Sequence, residues 1–207
     1  MFTPVPRLAH LLSLVILALL TLGGQSAAAQ GACESYKTFS RDEAAEYLAA
    51  MVSPEVTALD QLFAFEDLMC SDQPGLRELT LRSAGLSENP VIRSQVLTRA
   101  LFEKEVLAIR LVGSDEMSEQ QKTRLAQYPT ESLTVLYKDL AAGCLSFHQQ
   151  DGCNPASQAT IFGTTLDLHI NWSGYQVFGS FTYDHGDRMD GQITIRGLPF
   201  KAWIALY

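Results

Sequence analysis

Between Thr160 and Tyr207 apolar and polar residues alternate in short runs broken by glycine. Leu166, Leu168 and Ile170 face one way, Asp167, His169 and Asn171 the other, which is the period of a half-buried strand. The pattern predicts strands near Ala159–Ile161, Thr165–Asn171, Tyr175–Tyr183, Gly191–Arg196 and Lys201–Leu206. Turns are expected at Trp172-Ser173-Gly174, at Asp184-His185-Gly186-Asp187 and at Gly197-Leu198-Pro199. Connections this short make neighbouring strands antiparallel. The predicted apolar face holds Leu166, Leu168, Ile170, Val177, Ile193, Ile195, Ile204 and Leu206. Phe178 falls on the polar face, which implies either a bulge or a sheet covered on both sides. Phe162, Tyr175, Phe181, Tyr183 and Trp203 offer enough aromatic surface to fill a small sandwich or a curled sheet.

From Ser40 to about Leu140 the period changes to that of helices. Ser40 with Glu43 forms a capping box ahead of Tyr47, Leu48 and Met51. Ser53 and Pro54 predict a second start, with Val56, Leu59, Leu62, Phe63 and Leu68 turned inward. A third helix is expected over Leu76–Ala84, ended by a left-handed cap at Gly85. A fourth begins at Asn89-Pro90 and carries a stripe of Ile92, Val96, Ala100 and Leu107 before Gly113. The polar stretch from Ser114 to Gln127 fits a loop or an exposed helix. Thr130, Leu133, Leu136, Tyr137 and Leu140 predict one more amphipathic helix. The piece Leu76–Val112, with its loop Leu86-Ser87-Glu88-Asn89-Pro90 followed by Val91 and Arg93, is similar to one unit of a HEAT-type helical repeat. Such stacks bury a continuous core only with about three units, so a plain helical subdomain is expected. The fold class is therefore α+β: an N-terminal helical subdomain of antiparallel helix pairs, residues 30–142, and a C-terminal antiparallel β meander, residues 143–207.

The first 29 residues read differently. Arg7 precedes an apolar stretch from Leu11 to Leu20, broken by Ser13 alone and followed by the small residues Ala27, Ala28 and Ala29. This is the form of a secretory signal peptide cleaved near Ala29, its apolar core being shorter than the roughly 20 residues of a membrane span. The expected protein is secreted or periplasmic and has no membrane span after cleavage. Gln30 stands where a lipid-attachment signal wants a branched aliphatic residue, so Cys33 is read as a disulfide partner. In an oxidising compartment four cysteines form two bridges, and the expected pairs are Cys33 with Cys70 and Cys144 with Cys153. By loop entropy each stabilises by roughly 2–4 kcal/mol.

The composition, 47% hydrophobic over 207 residues, is that of a globular protein. With 23 Asp and Glu against 15 Lys and Arg, the net charge of −8 repels a phosphate backbone. Nucleic acid is not an expected partner. The sequence carries no G-x-S-x-G elbow, His-Glu-x-x-His helix or glycine-rich phosphate loop, and no catalytic residue, cofactor or metal is assigned. Cys144, His148, Asp151 and Cys153 hold zinc-type donors, but oxidation claims the two sulfurs. Asp184, Asp187 and Asp190 are of the type that binds calcium and also of the type that hairpin turns select.

Two constellations carry the functional expectations. Asn171-Trp172-Ser173-Gly174-Tyr175 places Trp172 and Tyr175 at a hairpin tip, where aromatic rings suit ligand or partner contacts. Asp167 and His169, two apart on a strand, share a face and form a second binding candidate. The leading expectation is a non-enzymatic binding or interaction module of the cell envelope or periplasm that engages a protein or envelope component. The alternative is an extracytoplasmic hydrolase with Asp167 and His169, joined by His148, in a cleft between the two halves.

Overall fold

The computed structural model describes Cys33 and residues 35–207, which form one compact unit. The expected signal peptide and its cleavage site lie outside the described residues. Helices fill the first part of the described chain and a nine-stranded antiparallel sheet the second, so the protein is α+β with a C-terminal β meander.

Four helices come first: α1 (Arg41–Val52), α2 (Ala58–Met69), α3 (Pro74–Ala84) and α4 (Pro90–Phe102), joined by connections of four or five residues. The Ser40–Glu43 capping box is present in both directions. The second helix starts later than Ser53. Thr57 is its cap, accepting a hydrogen bond from the Asp60 N–H at 3.2 Å, while Ser53 closes α1. The buried face also differs from the expected one. Gln61, Ala64, Phe65, Leu68 and Met69 point inward, and Leu59 and Phe63, expected inside, are exposed. Gly85 has a right-handed φ of −62°, not the left-handed cap expected. Glycine is required there by close approach, since a Cβ would stand 2.5 Å from the Tyr183 hydroxyl. The segment similar to a HEAT unit makes the pair α3 and α4 and then runs into a strand.

The chain continues as β1 (Val106–Val112), α5 (Glu119–Gln127), β2 (Thr130–Thr134), β3 (Tyr137–Asp139), β4 (Cys144–Ser146), β5 (Ser157–Phe162), β6 (Thr165–Trp172), β7 (Tyr175–Thr182), β8 (Arg188–Ile195) and β9 (Leu198–Ala205). Two expectations of helix are corrected here. The stripe from Ile92 breaks at Glu103 and Lys104, and Leu107 belongs to β1, whose residues alternate between exposed and buried. Residues 130–140 form β2 and β3 instead of a helix. Their spacing of three and four is compatible with a helical face, but Leu133 lies opposite the buried Leu107, and pairing with β1 overrides the local pattern. The polar stretch ahead of them yields α5, with a capping box between Ser118 and Gln121.

The strand order is β2-β1-β9-β8-β7-β6-β5-β4-β3. The two ends of that order are β2 and β3, yet only Val135 and Leu136 separate them along the chain. Three peptide units span at most about 11 Å, so the sheet must curl until its edges approach. The Val135 N–H donates to the Glu105 carbonyl beside β1, and the Leu136 N–H donates to the Ser146 carbonyl of β4, both at 2.8 Å.

The inner face of the curled sheet is the one foreseen, with Leu166, Leu168, Ile170, Val177, Ile193, Ile195, Ile204 and Leu206 all buried. They form one core with the helices. Phe181 and Tyr183 join it, whereas Phe162 is 84% exposed at a turn and Trp203 lies on the outer face. No bulge interrupts β6–β7, and Phe178 stays on the outer face beside His169. The helices dock on the end of the sheet that carries the β7–β8 turn. Tyr183 Oη donates to the Gly85 carbonyl at 3.1 Å, Tyr207 Oη to Leu81 O at 3.0 Å, and Lys138 Nζ to the Phe102 carbonyl that ends α4 at 2.7 Å. The last contact satisfies an orphan carbonyl with a cation where the helix dipole favours one.

Tight curling demands small residues on the inner face. A Cβ at Gly191 would overlap the Ser180 carbonyl oxygen and come within 2.7 Å of Phe181 Cα, while Gly152 has open space around it. Gly191→Ala is expected to cost about 1–3 kcal/mol through backbone displacement, and Gly152→Ala nothing comparable. Paired thermal melts check this; equal midpoints for the two variants would contradict the packing described.

Candidate functional site

The β6–β7 hairpin turns on two residues, Ser173 and Gly174, both with positive φ at 51° and 79°. This is the backbone that matches strand twist in a two-residue hairpin, and it makes Trp172 and Tyr175 direct cross-strand partners. Strand alternation puts both on the same side as Ile170 and Val177, at the rim of the curled sheet.

Trp172 keeps 53% of its surface exposed. One side of its indole is taken by His148, ring centroids 4.1 Å apart and planes tilted by 36°. His148 sits in the loop between β4 and β5. Cys144 and Cys153 of that segment are paired at disulfide distance with Cα atoms 6.5 Å apart, as expected, and Cys33 pairs with Cys70 at 5.5 Å. A further backbone bond, Asn171 N–H to Ala156 O at 2.7 Å, ties the loop to the hairpin. The exposed tryptophan is thus held between a short turn and a cross-linked loop.

Tyr175 points inward and is anchored across the curl. Its hydroxyl donates to a carboxylate oxygen of Glu131 on β2, whose other oxygen accepts from Arg124 Nη2 of α5 at 2.6 Å. Glu131 is only 12% exposed and Arg124 24%. The Arg124 guanidinium also lies 4.4 Å from the Tyr128 ring centre, and that of Arg196 5.8 Å from the Tyr175 ring centre. Burial pushes the Tyr175 hydroxyl well above its usual value, and the hydrogen bond to the Glu131 carboxylate adds to the shift. A phenol held this firmly in its neutral form is a structural donor, unsuited to proton transfer near neutrality.

Asp167 and His169 do share the outer face of β6. Asp167 accepts a hydrogen bond from Ser180 Oγ at 2.7 Å, and His169 packs on Phe178 with ring centres 5.0 Å apart. His148 is engaged with Trp172 at the rim. The structure therefore brings Trp172, Tyr175 and His148 together and leaves Asp167 and His169 as a separate exposed pair. None of them lines any of three grooves found among the described residues. Two of these, about 760 Å³ each, lie among the helices, and one of about 230 Å³ lies between β9 and the β1–α5 loop.

Reading residues 130–140 as a helix hid Glu131, and with it the partner that Arg124 of α5 meets. Pairing β2 with β1 puts Glu131 opposite the buried Ile109, and an alternating reading of Glu131 and Leu133 is the signal that would have found it. No protein-family model, curated protein or solved structure matches the chain.

Tyr183 and Tyr207, like Tyr175, are held above their usual values chiefly by burial. In the unfolded chain tyrosine ionises near 10, so above that pH the unfolded state binds fewer protons and stability falls as pH rises. Tyr175→Phe removes one such group and a hydrogen bond to a charged partner. The variant is expected to lose about 1–3 kcal/mol at neutral pH and to show a shallower alkaline decline. Urea unfolding between pH 8 and 11 checks both, and an unchanged alkaline slope would contradict the assignment.

Proposed function

We propose that the protein is an exported, non-enzymatic binding module of the cell envelope or periplasm that engages a partner through the tip of the β6–β7 hairpin. The observation that carries this reading is Trp172, a large apolar side chain left half exposed although both its neighbours and its ring partner are fixed. A pre-ordered aromatic surface loses little conformational entropy on binding, which is why Trp and Tyr dominate the energetics of interfaces. Export is supported by the amino-terminal pattern and by two cysteine pairs at disulfide distance. Among the described residues no helix is long and apolar enough to cross a membrane. The hydrolase alternative is not carried further, since Asp167 and His169 each have a different partner and face solvent.

The test is capture from the native envelope with the mature chain as bait, comparing wild type, Trp172→Ala and His148→Ala. Trp172→Ala is expected to lose the captured component at least about tenfold, the scale of an interface hot spot, with an unchanged melting temperature. His148→Ala should weaken capture less. Identical capture by all three would overturn the reading.

A further inference from the structure

We propose that the outer face of the sheet at Arg110, Lys201 and Trp203 is a docking strip for an extended acidic peptide segment of a partner protein. The strip crosses β1, β9 and β8, which are neighbours in the sheet. Arg110 lies opposite Trp203 and Val112 opposite Lys201, so Arg110 and Lys201 are diagonal neighbours on the exposed face. The Arg110 guanidinium stands 5.4 Å from the Trp203 ring centre, and Arg188 approaches the same ring from β8 at 5.8 Å.

The charges on this face are unevenly satisfied. Arg188 Nε donates to Asp190 at 3.1 Å. Among the described residues neither Arg110 nor Lys201 lies within ion-pair distance of a carboxylate, although Glu116 lines the 230 Å³ cleft beside Lys201. Arg110 and Lys201 are thus adjacent cations on one exposed face, with the third cation of the strip, Arg188, already engaged by Asp190. Contact with Trp203 holds the Arg110 fork on the surface with its remaining N–H groups free, the arrangement that meets a carboxylate with two hydrogen bonds.

Spacing and total charge select the occupant. Diagonal neighbours on a sheet lie about 7–8 Å apart, and carboxylates two residues apart on an extended chain are separated by about 6.6 Å. Acidic residues at alternate positions therefore reach both cations from one side of a strand-like peptide. A membrane or a polyanion presents charge over many screening lengths of about 8–10 Å and would meet the protein's surplus acid as well. A short peptide meets only the strip.

The experiment measures fluorescence anisotropy of a labelled peptide of alternating Glu and Thr with the mature chain at low ionic strength. Wild type, Trp172→Ala and the helix control Arg41→Glu are expected to bind alike. The double variant Arg110→Glu with Lys201→Glu should weaken binding at least about tenfold, and binding should fall steeply with salt. Should the double variant melt early, Arg110→Gln with Lys201→Gln carries the same comparison. Failure of wild type to bind the peptide overturns the proposal, as does equal binding by the strip variants or equal loss in Arg41→Glu. Binding of phosphatidylglycerol vesicles or of alginate in place of the peptide also overturns it, in favour of a lipid or saccharide partner. Because Trp172→Ala is included, failure of the strip and failure of the hairpin tip are read separately.

Discussion

Two residues, Val135 and Leu136, connect the first and last strands of a nine-stranded sheet, and most of the architecture follows from that short link. A sheet whose edges must approach to within about 11 Å at that link has a concave side, and that side has to be apolar, closely packed and closed at both ends. The inner face satisfies the first two demands through a run of buried branched aliphatic residues and through Gly191, where β7 passes too close for any side chain. The ends are closed by different means. At one, the helices dock through the Gly85 and Leu81 carbonyls. At the other, the Tyr175–Glu131–Arg124 chain of hydrogen bonds spans from β7 to β2 and α5.

That second closure fixes what the hairpin tip exposes. Tyr175 turns inward and is consumed by its contacts, so its cross-strand neighbour Trp172 is left at the rim with half its surface in water. The His148 stack and the pairing of Cys144 with Cys153 keep the ring in place. Pre-ordering is the useful property here, because an interface residue that is already immobile does not have to be ordered on binding. The outer face offers a second surface of different chemistry, with Arg110 and Lys201 beside Trp203.

How much of this was legible in the sequence depended on whether local and tertiary forces agreed. Between Ser157 and Leu206 they agreed, and strict alternation with glycine turns located the strands and the buried face, although β8 and β9 each begin three residues earlier than expected and take Leu198 and Pro199 out of the expected turn. The Ser40–Glu43 cap and both cysteine pairs were legible for the same reason, being set by short-range chemistry. Residues 130–140 were not, because Leu133, Leu136 and Leu140 fit a helical stripe and only the partner strand decides otherwise. Thr57 displaced Ser53 as a cap, and packing against the neighbouring helices buries Gln61 and Phe65 where Leu59 and Phe63 were expected. Of the candidate site, the hairpin tip with Trp172 and Tyr175 was visible. Its support from Glu131, Arg124 and His148 was not: the curl alone brings Glu131 and Arg124 near, and His148 arrives on the loop ahead of the neighbouring strand β5.

The central claim is that the hairpin tip is the surface a partner touches. Photo-cross-linking in the source cells tests it most directly, with a benzoylphenylalanine placed at Asn171, exposed beside Trp172, and in a separate variant at Leu86, exposed on the groove among the helices. The account predicts a discrete adduct from position 171 and none from position 86; an adduct from position 86 alone would place the working surface on the helices and contradict it.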